Sequence, residues 1–107
     1  MFQVVWMKSF LDVVSQEILP GARALIAKRL IESGLSQKQA AAKMGVSQPA
    51  ISQYKRDLRG KADFFKKNPK LMELVNRLAD KIASGEVTMQ SATMELFEAC
   101  KGYISED

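Results

Sequence analysis

Four side chains between positions 48 and 56 are the ones whose types and spacing could do chemistry together. Gln48, Ser52, Gln53 and Arg56 share one side of a helix drawn through this stretch, while Ile51, Tyr54 and Leu58 repeat on the other. The polar side is short, uncluttered and capable of hydrogen bonding. In the major groove of duplex DNA a Gln amide pairs with adenine N6 and N7, an Arg guanidinium with guanine O6 and N7, and a Ser hydroxyl with either. The chemistry is recognition rather than bond-making.

Such a face reads bases only if two helices hold it at a steep angle, and the preceding residues have the spacing for that. Ser36 and Gln39 form an S-x-x-Q capping box that would start a helix at Gln37. Gly45 would end it in the left-handed conformation, which glycine enters without a Cβ penalty. Val46 would plug the corner, Ser47 would cap the second helix and Pro49 would stand in its first turn. Ala41 would face the second helix, where a larger side chain would push the pair apart. An ordinary helical hairpin with a solvated polar face accounts for any one of these matches. The joint match at Gln37, Ala41, Gly45, Val46, Ile51 and Tyr54 points to a DNA-reading helix-turn-helix.

These residues, Gln37, the AAAKMGVSQPAIS run and Tyr54, resemble the lambda-repressor/Cro-like (Xre-type) helix-turn-helix regulators. The wider stretch from Leu19 to Gly60 resembles the DNA-binding part of archaeal regulators, some of which carry a thiamine-phosphate-synthase-like domain. The resemblance implies a dimer on a two-fold-symmetric operator with the second motif helix in the major groove. Carried onto matching positions, it implies that Gln37 touches a phosphate and that Gln48, Ser52 and Gln53 reach bases.

Charge follows the motif. The formal net charge is +4, but residues 19–61 hold nine Lys and Arg against two acidic residues, and both flanking segments are net acidic. Concentrated cations of this kind neutralise phosphates and release counterions. Lys55, Arg56, Arg59 and Lys61 cluster at the exit of the second helix, with a tight turn expected at Gly60; four cations exceed what a helix dipole needs. Phosphate contacts are expected from Lys38, Ser47, Lys55, Arg59 and Lys61, and from Gln37 as the resemblance implies, with Arg56 joining the base readers.

Other chemistries find little support. One Cys and no His leave no disulfide framework, Cys/His zinc site or histidine base within the chain, and no phosphate loop or recognisable catalytic carboxylate pair is present. No enzyme activity, cofactor or metal is expected, and no small-molecule effector is specified. Lys8 and Asp12 interrupt the apolar N-terminus before a signal core or membrane span is complete, so the expected location is the cytoplasm, away from membranes.

Around the motif the periodicity predicts further helices. Residues 3–18 are apolar around most of a helix, with a break at Pro20 and Gly21 and a new helix to Ser33 carrying Ala24, Leu25, Ala27, Leu30 and Ile31 inward. Arg23, Lys28 and Arg29 are expected in solvent. Asp63 is expected to cap a short helix with Phe64 and Phe65, and Asn68 the next, to Ser84, with Leu71, Leu74, Val75, Leu78 and Ile82 on one side. Thr88 would start a last helix whose apolar stripe includes Met89, Ala92, Leu96, Phe97, Cys100 and Ile104, with Cys100 buried rather than reactive.

The fold expected is all-α: one domain over 1–107, with a lambda-repressor-like five-helix core at 20–84 and flanking helices at 1–19 and 85–107 that dimerise it. Trp6, Phe10, Leu96 and Phe97 are the expected contact residues. The expected function is sequence-specific binding of double-stranded DNA as a homodimer, repressing transcription. The alternative is a protein-interaction adaptor on the same fold, such as an antitoxin or coactivator, to which the apolar N-terminal helix and acidic C-terminal third would be suited.

Overall fold

The computed structural model describes residues 11–104, with the side chains of all of them except 59–61, 103 and 104. The described residues are helical with short connections. Helix α1 (Leu19–Glu32) is followed by α2 (Gln37–Met44), α3 (Gln48–Lys61), the single turn α4 (Asp63–Lys66), α5 (Pro69–Ser84) and α6 (Met89–Ile104). The all-α expectation holds, and five helices fall within 19–84.

The predicted break at Pro20 and Gly21 is absent. Residues 11–13 are already helical, a wide π turn covers Val14–Ile18, and α1 continues from it directly. The Leu19 N–H bonds to the Val14 carbonyl, five residues back. Proline in a helix loses a donor and crowds the carbonyl four residues earlier. Here the widened turn directly before Pro20 absorbs that conflict. Val14 and Ile18, both buried, anchor the π turn to the core.

Helix α1 lies at the centre, packed against α2, α3 and α5. Two-sided packing explains why its buried face, Gly21, Ala22, Ala24, Ile26, Ala27 and Leu30, is broader than the predicted stripe and includes Ile26, while Leu25 and Ile31 are only partly covered. The small residues let neighbouring helices approach, and Ile26, Leu30, Ile51 and Phe65, all fully buried, fill the space between them. Each such side chain contributes about 1.5–3 kcal/mol of transfer free energy. Arg29 does not simply project into solvent. Its Nε and Nη2 donate to the two carboxylate oxygens of Asp80 at 2.9 and 3.1 Å, tying α1 to α5. The guanidinium holds the Asp80 carboxyl below its ordinary value and is itself raised by that bond.

Three local expectations are revised. The backbone stays helical through Gly60, and the change of direction comes at Ala62. Ala62, not Asp63, occupies the N-cap of α4, and Asp63 makes no capping hydrogen bond. Asn68 stands at the N-cap position of α5, but its Nδ2 donates to the Phe64 carbonyl at 2.6 Å, so the side chain closes the end of α4 instead. Thr88 behaves as expected: its Oγ1 accepts from the Ser91 N–H at 3.1 Å. Helix α6 rests on α5 through Ala92, Leu96 and Cys100, all buried.

Candidate nucleic-acid interface

The two motif helices are locked by local bonds. At the start of α2 the Ser36 hydroxyl accepts from the Gln39 N–H at 3.1 Å, and the Gln39 side chain accepts from the Ser36 N–H at 2.9 Å, completing the capping box. At its end Gly45 takes φ 69°, ψ 32°. The Gly45 N–H reaches the Ala42 carbonyl at 3.3 Å and the Val46 N–H the Ala41 carbonyl at 3.0 Å, the paired bonds of a Schellman motif. Ser47 then caps α3, its hydroxyl accepting from the Ala50 N–H at 3.3 Å. Only Gly45, Val46 and Ser47 separate the helices. Ala40, Ala41, Met44 and Ile51 are buried between them and α1, with Val46 and Tyr54 packed at the edge, which leaves little freedom in the interhelical angle.

This frame assembles the polar face. Gln37, at the first position of α2, lines one open depression together with Gln48, Pro49, Ser52 and Arg56 of α3. Positions 48, 52 and 56 form a single i, i+4, i+8 row, so three of the four expected base readers stand in line with the expected phosphate contact at Gln37. Gln48 and Arg56 are exposed, whereas Ser52 and Gln37 are half-buried. Gln53 is also exposed but does not line the depression. Lys38 and Lys55 stand exposed nearby in sequence, and neither they nor Arg56 pair with a carboxylate among the described residues. The Ser47 oxygen serves its cap, which leaves the hydroxyl proton as the group it can offer a phosphate. Arg59 and Lys61 lie on the last turn of α3, and their side chains fall outside the description.

The expected dimer contacts divide differently. Trp6 and Phe10 lie outside the described residues. Leu96 is 0 % exposed within the chain's own core and has no surface to offer a second copy, contrary to expectation. An apolar stripe on an amphipathic helix does not distinguish the two uses, and here α5 takes it. Phe97 is half-buried against the core, with the Lys101 ammonium 5.5 Å from its ring centre. Leu11 and Val13, by contrast, are exposed apolar residues on the approach to the π turn. Cys100 is fully enclosed, and burial pushes its thiol up to about 11.

Among the described residues no cluster of His, Cys, Asp and Glu could hold a metal, and no helix is long and apolar enough to cross a membrane. No curated protein and no solved structure matched the chain. A family model described as helix-turn-helix matches residues 25–64, which run from the second half of α1 through α2 and α3 into α4. Residues 25–64 thus carry a helix-turn-helix of the lambda-repressor/Xre-like kind, a type of unit with which regulators bind DNA.

Proposed function

We propose that the protein is a sequence-specific regulator that binds duplex DNA as a homodimer and represses transcription by occupying promoter DNA. Gln48, Ser52, Gln53 and Arg56 read base edges, while Gln37, Lys38, Ser47, Lys55, Arg59 and Lys61 hold phosphates. The observation that carries this reading is the convergence of Gln37, Gln48, Ser52 and Arg56 on one open depression across the two motif helices. A merely solvated face has no reason to align the start of α2 with a single row of α3.

Residues 1–107 act as one unit in this reading, with 20–84 as the DNA-binding core and the N-terminal flank as the dimer contact. Exposed Leu11 and Val13 support that role for the flank. A second copy would cover them and set two α3 helices roughly 34 Å apart, one turn of DNA. The test is selection of bound sequences from a random duplex pool, with sedimentation of the free protein. The reading predicts an enriched palindrome with half-sites one turn apart and a dimer mass. A pool that stays unenriched would move the motif to protein partners.

A further inference from the structure

A second concavity lies on another side of the motif, where the end of α2 and the turn after it face the first half of α6. It is a cleft of about 870 Å³, within the size range of small-molecule sites. Two cations line it, Arg23 from α1 and Lys43 from α2, and no Asp or Glu does. Neither cation forms an ion pair among the described residues. Arg23 is half-buried there, so its charge has given up part of its water without gaining a counter-ion. Lys43 is exposed, with its Nζ close to the α5–α6 connection, 3.7 Å from where a Cβ on Gly85 would be. At the start of α6 the Thr88 hydroxyl takes the Ser91 N–H, so Arg23 and Lys43 are the full charges that the cleft presents.

The rest of the lining is apolar and soft. The Tyr54 ring, Val46 and Met89 form part of it, and Met94, also in the lining, is 68 % exposed, the most exposed large apolar side chain among the described residues. Methionine sulfur packs favourably against aromatic rings, and flexible methionines adapt to a guest. We propose that this cleft binds a small aromatic anion, with its carboxylate or phosphate between Arg23 and Lys43 and its ring against Tyr54, Met89 and Met94. Because α2, α3 and α6 all contribute walls, an occupant bridges the C-terminal helix to the motif. The inference is independent of the DNA reading, since binding is measured without DNA.

The test uses the full chain with its methionine methyls 13C-labelled, titrated with phenyl phosphate and phenylacetate. Inorganic phosphate and benzyl alcohol serve as the charge-only and ring-only controls. The expected result is saturable movement of the Met89 and Met94 signals with dissociation constants on the order of 1 mM, as suits ligands of about ten heavy atoms, and weaker binding of both controls. Whichever of the two aromatic anions binds more tightly assigns the head group. Arg23→Gln and Lys43→Gln, checked for unaltered thermal melts, should each weaken binding on the order of tenfold. Met94→Glu, which sets a like charge at the mouth, gives an independent variant should either fail to fold, and should likewise weaken binding as read at the Met89 signal. Absence of saturable shifts, equal binding of benzyl alcohol, or unchanged affinity in the folded variants would overturn the proposal.

Discussion

Replacing Gly45 by Ala isolates the turn on which the motif depends. At φ 69° a residue with a Cβ stands in the left-handed region, which costs about 1–2 kcal/mol. Nothing lies within 4 Å of a Cβ added there, so no steric contribution is superimposed. Alanine also restricts the unfolded chain, which offsets about 0.4–1 kcal/mol. The net expectation is a loss of about 1 kcal/mol, or a fall of about 4–8 °C in Tm for a domain of this size. Gly45→Asn should cost less, because Asn tolerates this region. Gly102 supplies the opposite case: it lies within α6, has no positive φ and is also free of neighbours within 4 Å, so Gly102→Ala should stabilise through helix propensity. Urea unfolding of the three variants at constant m-value checks the set. A Gly45→Ala protein as stable as the parent would refute the argument that the left-handed turn, and not packing, makes glycine necessary there.

Three further outcomes are expected. Arg29 lowers the Asp80 pKa, so their bond contributes stability above the ordinary aspartate value of about 3.9 and loses it as pH falls through the lowered one; the gap in urea midpoint between the parent and Asp80→Asn, open at pH 7, should narrow steadily as pH falls below that ordinary value. With the Cys100 thiol raised to about 11, native stability should decline as pH climbs from about 8.5 towards 11, because the unfolded thiol ionises first, and a disulfide reagent at pH 8 should modify it only as fast as the protein unfolds. On a selected duplex Gln48→Ala should cost about 1–3 kcal/mol and relax preference at one base pair, whereas Lys55→Ala should weaken all sequences alike and reduce the salt slope by about one; equal effects of both on every duplex would remove the division between readers and clamps.

What could be read from the residues alone was what is set locally. The capping box at Ser36 and Gln39, the left-handed Gly45 and the Ser47 cap each depend on neighbours within four positions, and all three appear as expected. The span of α5 was legible for the same reason, from Pro69 at one end and Gly85 at the other. Features created by distant segments were not. Arg29 and Asp80 are 51 residues apart, and nothing in either neighbourhood announces the bond. Arg23, expected in solvent, lines a cleft whose far wall begins 65 residues later, at Thr88. Pro20 misled because a proline breaks a helix only where no widened turn accommodates it, and the π turn at Val14–Ile18 does so here. Leu96 misled because periodicity identifies a buried face without saying what buries it.

The central claim is that the Gln37, Gln48, Ser52 and Arg56 face reads duplex sequence. The most direct measurement is titration of the selected duplex and a scrambled one of the same length, each at two salt concentrations. The account predicts a specific-to-scrambled affinity ratio above about 10³, with both affinities falling as salt rises. Equal affinities that fall together with salt would show a basic surface that holds DNA without reading it, and would contradict the claim.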